Sequence, residues 1–194
     1  MNLQGLFEDT YRENMDVILS MVEPDGNAKI LDCGCGNGDF TRELANRIGT
    51  SHIYGIEFIK ELAHAAENKG IKVYQANLNE NLPIEDETFD FVHANQIIEH
   101  LYETDLFIRE IYRVLKQGGY AIVSTPNLAS FHNIVSLVFG KQPFPAHISN
   151  EVIVGLLAKS LHGKHKDKGS IHLRAFTYSG LRELFERVSK NSAY

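Results

Sequence analysis

Apolar residues recur along this chain with two alternating periods. Phe7, Tyr11, Met15, Ile18, Leu19 and Val22 fall at helical spacing and predict an amphipathic helix at the start. Pro24, Asp25, Gly26 and Asn27 then make a turn. Short apolar runs follow: Ile30 with Leu31, HIYGIE (52–57), IKVYQA (71–76), FDFVHA (89–94) and GYAIVS (119–124) read as five strands. Between them, Phe40, Leu44, Ala45 and Ile48 mark one helix face, and Leu62, Ala65 and Ala66 another. Phe107, Ile111, Val114 and Leu115 mark a third helix, which stops at Gly118-Gly119, a glycine C-terminal signal. Strands alternating with helices predict an α/β fold, a doubly wound and mainly parallel sheet with helices on both faces and right-handed crossovers.

The pattern changes after residue 127. Phe131, Ile134, Val135 and Val138 predict a helix, QPFP a turn, and Ile153, Leu156, Leu157 and Leu161 a further apolar-periodic piece. Residues 128–170 thus read as an insertion over the strand ends, a natural place for substrate selection. A last helix carries Leu181, Leu184, Phe185 and Val188 on one face, with Thr177 or Ser179 as its cap. At 194 residues the chain is expected to be one domain, with the opening helix at 1–23 and a core at 28–127.

Composition narrows the class. With 43% apolar and 23% charged residues the chain has the make-up of a soluble globular protein. It has no apolar run of membrane-spanning length, and MNLQGLFEDT lacks the features of a secretory signal. The only cysteines, Cys33 and Cys35, are too close on a strand-to-turn segment to bridge readily, which predicts a reducing compartment, the cytoplasm. Two thiols are also too few for a closed zinc site. The net charge of −6 argues against a nucleic-acid partner. A local basic cluster of Lys159, Lys164, Lys166 and Lys168 with His162 and His165 reads as a solvated loop, or as a patch for an anionic substrate.

The candidate chemistry lies at the strand ends. In a doubly wound sheet ligands bind beyond the carboxyl ends of the strands, and the glycine loop of KILDCGCGNGDF (29–40), Glu57, Asn77 and Asn95 all fall there. The dinucleotide fingerprint is G-x-G-x-x-G, whereas the spacing here is Gly34-x-Gly36-x-Gly38, and Asp32 stands just before the loop. A carboxylate there disfavours a pyrophosphate at the next helix N-terminus and favours a ligand with a cationic end.

Asp32, the three glycines and Glu57 together resemble the class I S-adenosylmethionine-dependent methyltransferases. LPIEDETFDFVHANQIIEHL (82–101) and REIYRVLKQGGYAIVSTPN (109–127) are similar to later segments of that family, and HLRAFTYSGLRELFE (172–186) to a segment found in some members. The resemblance implies a Rossmann-like methyltransferase fold, S-adenosyl-L-methionine as cofactor, and methyl transfer to a small-molecule acceptor. It implies that Gly34, Gly36 and Gly38 pass beneath the methionine part of the cofactor, and that Asp32 anchors the ammonium directly or through water. Glu57 would accept both ribose hydroxyls, with Asp32 as a turn cap and Glu57 as a solvated strand end the alternatives. Asn77 stands where many relatives hold the adenine with Asp, or is simply a turn residue. Leu78 would pack on the adenine, and Asn95 and Gln96 would face the methyl-bearing end.

Transfer to a hydroxyl needs a general base. His100 is the first candidate, with Glu99, His147 and His172 behind it, and a histidine bonded to backbone near a helix start is the structural alternative for His100. In some relatives a Glu-x-x-Glu-His arrangement ligates a divalent metal; Gln96 replaces the first acid here, so no metal is expected. Phe131, Phe139, Phe144 and Tyr11 are candidates for the acceptor wall, with a core role the commoner use of such residues. Relatives add two strands beyond the last helix, and the chain lacks their pattern after Phe185. The expectation is an uncovered sheet edge that invites a homo-oligomer. A non-catalytic domain that binds the cofactor as a partner or regulator is the alternative to an enzyme.

Overall fold

In a computed structural model, residues 3–149, 151–156, 163–164 and 171–191 are described. Helix α1 (Leu3–Met21) leads to β1 (Ile30–Cys33), α2 (Asp39–Ile48), β2 (Ile53–Ile56), α3 (Lys60–Glu67), β3 (Lys72–Tyr74) and β4 (Phe89–Asn95). A 3-10 turn (Ile98–His100), α4 (Thr104–Val114), β5 (Leu115–Ser124), α5 (Phe131–Val138), β6 (Val152–Ile153), β7 (Gly163–Lys164) and α6 (Tyr178–Asn191) follow. Five strands form one sheet in the order β3-β2-β1-β4-β5, while β6 and β7 pair antiparallel by themselves. β1 runs parallel to both β2 and β4, and β2 parallel to β3. The strand order therefore reverses between β1 and β4, the place where such sheets open a ligand crevice.

The chain divides into two compact units. One comprises Met1–Asn77, Pro83–His93 and Val114–Ile122, the other Leu78–Leu82, Ala94–Arg113 and Val123–Tyr194. In the first, every residue of the strand ILDC is buried, Asp32 included, as in a strand covered on both faces. Thr41, Leu44, Ala45 and Ile48 form the buried stripe of α2, spaced as one helical face. They join Ile18 of α1 and Val22 just after it with Ile30, Ile53 and Phe91 of the sheet in one core. α2 stops at Gly49, whose left-handed φ of 86° lets its N–H close on the Ala45 carbonyl.

In the second unit, α4 buries Phe107, Ile108 and Ile111. Its buried Glu110 accepts the Leu82 N–H at 2.7 Å and the Arg113 guanidinium at 2.6 Å.

Two expectations are corrected. α4 ends at Val114 rather than at Gly118-Gly119, because the Val114 carbonyl accepts the Thr88 N–H at 2.8 Å and the chain becomes extended from Leu115. Helix α5 forms where expected but with its apolar face outward: Phe131, Ile134, Leu137 and Val138 are exposed, while Asn133 and Ser136 are buried. Asn133 turns inward because its amide donates to the Asn127 carbonyl at 3.0 Å. Phe131 and the neighbouring Phe139 are therefore not core residues. The basic cluster lies outside the described residues except for Lys164, whose backbone forms β7.

Candidate functional site

In the first unit the site begins where β1 ends. Asp32 is only 4% exposed, and both of its oxygens are engaged. The Thr41 hydroxyl donates to Oδ2 at 2.5 Å, and Nδ1 of the buried His93 lies 2.7 Å from Oδ1. Asp32 thus ties β1 to the first turn of α2 and to β4. Thr41 and His93 each take one acceptor site of a carboxylate that offers about four, which leaves room for the ammonium contact, direct or through water, expected from the sequence. Those two residues were missed, since a threonine in a first helical turn and a histidine within an apolar strand carry no signal of this pairing.

The three loop glycines all have left-handed φ, 76° at Gly34, 55° at Gly36 and 82° at Gly38. Their demands differ. A Cβ on Gly36 would meet nothing within 4 Å, so the backbone lies open there, whereas one on Gly38 would sit 2.4 Å from Ile71 Cδ1 and 3.1 Å from the Ala66 Cα. Gly38 therefore serves the approach of α2 to α3. Gly55 plays a comparable part, since a Cβ there would lie 2.5 Å from the Cys35 sulfur.

Glu57 sutures the loop to the end of β2. It is 8% exposed; Oε2 accepts the Gly36 N–H at 2.9 Å and Oε1 accepts the Ile59 N–H at 2.8 Å. The Gly34 and Cys35 amides donate to the Ile56 carbonyl at 2.8 and 3.0 Å. A carboxylate offers about four lone-pair sites, so each Glu57 oxygen keeps acceptor capacity for a ribose hydroxyl. Burial, and then the charges of Asp32 and Glu57, push the Cys35 thiol up to about 12. Asn77 follows β3 in this unit, half-buried.

Leu78, Asn95, Gln96 and His100 belong to the second unit. The side chains of Asn95 and Ser124 are hydrogen-bonded, and the Gln96 N–H donates to the Ser124 carbonyl at 2.9 Å. Gln96 is held at a φ of 57°, unusual for a residue with a side chain and a mark of functional loops.

The 3-10 turn carrying Glu99 and His100 is docked by the segment 171–174. Leu173 and Arg174 donate their N–H groups to the Glu99 carbonyl at 2.8 and 3.2 Å, and the Arg174 guanidinium donates to the Tyr102 carbonyl at 2.7 Å. This gives the H-L-R stretch its local purpose. His100 Nδ1 lies 2.8 Å from the Ile171 carbonyl and so carries the proton, leaving Nε2 as the lone-pair nitrogen. Glu99 is 1% exposed; its Oε2 accepts the Thr125 hydroxyl at 2.9 Å, and its Oε1 has no hydrogen-bond partner among the described residues. Burial raises the Glu99 pKa, against the opposing pull of backbone, Thr125 and His100.

His172 completes a cluster in which one ligand atom each from Glu99, His100 and His172 lies within 4.8 Å of the others. The His172 ring stacks on His147 at 5.0 Å, and Phe144 meets both edge-on. Gln96, whose amide was the reason to expect no metal, is not part of this cluster. A buried carboxylate oxygen without a partner beside two imidazoles fits a divalent cation.

Comparisons with known proteins identify the family. A family model described as a methyltransferase domain matches residues 24–168. A mitochondrial ubiquinone biosynthesis O-methyltransferase of Rattus norvegicus is 32% identical over 149 residues, covering 72% of this chain and 40% of the relative. A demethylmenaquinone methyltransferase of Geobacillus is 31% identical over 122 residues, covering 57% of this chain and 52% of the relative. The chain thus spans about half the length of such relatives or less. Among solved structures, a possible histamine N-methyltransferase of Thermotoga maritima shares the fold with a TM-score of 0.65 at 21% identity, covering 92% of this chain and 70% of that one. No helix among the described residues is long and apolar enough to cross a membrane. With the family model matching most of its length, the chain belongs to the class I S-adenosylmethionine-dependent methyltransferases.

Proposed function

We propose that the protein transfers a methyl group from S-adenosylmethionine to a small organic acceptor that presents a hydroxyl. The observation that carries this reading is the glycine loop pinned by Glu57: its backbone is open above Gly36, and a buried acid with spare acceptor capacity sits beside it. That arrangement suits a ribose diol and a slim chain rather than a diphosphate, which would be repelled by Glu57 and Asp32. When bound, the cofactor supplies an electrophilic methyl group on a sulfonium.

Glu57 would hold the ribose, the Gly34–Gly36 backbone would line the methionine part, and Asn77 would receive the adenine amino group. Asp32 fixes the loop through Thr41 and His93 and, with its remaining acceptor capacity, would anchor the ammonium directly or through water. In the second unit, the Ile171 carbonyl holds the His100 Nδ1–H and leaves Nε2 beside Glu99, so His100 serves as a ligand rather than as a general base. Glu99, His100 and His172 would hold a divalent cation, which as a Lewis acid would lower the pKa of an acceptor hydroxyl.

Calorimetric titration with S-adenosylhomocysteine tests the reading. Wild-type protein should bind it, and Glu57→Ala should weaken binding by about 1.5–3 kcal/mol, the scale of hydrogen bonds to a charged group. Equal affinity in the two proteins would remove the ribose assignment. Turnover with hydroxylated aromatic acceptors, lost in His100→Ala, would establish the transfer step.

A further inference from the structure

We propose that the Glu99–His100–His172 cluster selects a nitrogen-preferring divalent ion of the zinc and cobalt class over magnesium. The inference rests on reading this cluster as a metal seat and goes beyond it to the kind of ion.

The donor set decides the preference. It offers one carboxylate and two imidazoles, whereas magnesium takes oxygen ligands in a near-ideal octahedron and keeps its waters. Imidazole suits zinc, copper, iron and nickel, and two histidines with one glutamate are a three-ligand set that leaves zinc an open position for a substrate oxygen.

The second layer is built for the same purpose. Each of two ligands has one atom fixed by the protein and the other left facing the cluster. For Glu99 the Thr125 hydroxyl holds Oε2 and leaves Oε1; for His100 the Ile171 carbonyl holds Nδ1 and leaves Nε2. The two remaining atoms, His100 Nε2 and Glu99 Oε1, are 3.9 Å apart. Two donors at about 2.1 Å from one ion lie at most about 4.2 Å apart, so this pair already meets the requirement. The rings of His147 and Phe144 hold His172 from the sides, limiting its rotation.

The test uses the full chain, stripped with chelator and reloaded with cobalt, zinc or magnesium chloride. Cobalt should be retained in equimolar amount through gel filtration and should show the visible bands of a low-coordinate site. Zinc should abolish those bands, and magnesium should fail to do so even at about 100-fold higher concentration. Thr125→Val should weaken cobalt binding about 10–100-fold through loss of the hydrogen bond to Glu99. His172→Glu should move the preference toward magnesium, with far-UV circular dichroism confirming that the variant folds. Competition by magnesium equal to that by zinc, no retained ion, or a cobalt spectrum unchanged in His172→Phe would each overturn the assignment. S-adenosylhomocysteine titration of the same stripped protein reports on the cofactor reading alone, so the two readings fail separately.

Discussion

Gly38 and Cys35 show how much of the loop is dictated by packing. Gly38 combines a φ of 82° with a neighbour 2.4 Å from any added Cβ, and Gly49 combines a φ of 86° with open space. Gly49→Ala should therefore cost about 1 kcal/mol from backbone strain alone. Gly38→Ala adds overpacking against Ile71 and Ala66 and should cost about 2–4 kcal/mol, measured by urea denaturation. Equal losses would show that the α2–α3 approach can relax. Cys35 makes a prediction about pH. Its thiol is pushed up to about 12 by burial and two nearby carboxylates, so the nucleophilic thiolate is scarce at pH 7–9. Both cysteines are buried, and the Cys33 thiol is raised as well. Native protein should react negligibly with a thiol reagent at pH 8 and fully once denatured, with burst labelling of the folded chain the contrary result.

At the scale of elements, α5 separates what a periodic pattern can and cannot tell. Its existence followed from Phe131, Ile134, Val135 and Val138, but which face turns inward depends on a side-chain hydrogen bond back to Asn127 that periodicity does not encode. With Asn133 buried on the Asn127 carbonyl and Val138 77% exposed, the usual order of sensitivities inverts. Val138→Ser should leave stability within about 0.5 kcal/mol, while Asn133→Ala should cost about 0.5–1.5 kcal/mol by removing the hydrogen bond of a buried side chain. Thermal melts of the two variants decide the matter, and a larger loss at Val138 would mean that the apolar face is covered in solution. The 3-10 turn teaches the complementary lesson. Gln96-Ile97-Ile98-Glu99-His100 was visible as a motif, but its value lies in Thr125 and His172, brought to it by β5 and by a segment some seventy residues along the chain.

For the whole molecule, the alternation of strands and helices, the glycine loop and the acid ending β2 were legible because each is a local signature with a fixed place in a doubly wound sheet. The division into two units and the partners of Asp32 were not, since both arise from contacts between distant segments. This bears on how ligand binding should appear in bulk stability. Glu57 and the glycine loop are held by hydrogen bonds among β1, β2 and the loop itself, so a ligand there meets a site already formed and binds the folded chain alone. Linkage then gives about 2.7 kcal/mol at a ligand concentration about 100 times Kd. For a chain of this size each kcal/mol moves Tm by about 2–4 °C, so saturating S-adenosylhomocysteine should raise it by about 5–10 °C. NADH at the same concentration should leave Tm unchanged, because its diphosphate would face two carboxylates at the loop. In Glu57→Ala the rise with S-adenosylhomocysteine should shrink in step with the lost affinity. A shift with NADH that matches or exceeds it would mean that the loop cradles a diphosphate after all, and that the tight glycine spacing and the acid before it do not discriminate between the two kinds of nucleotide.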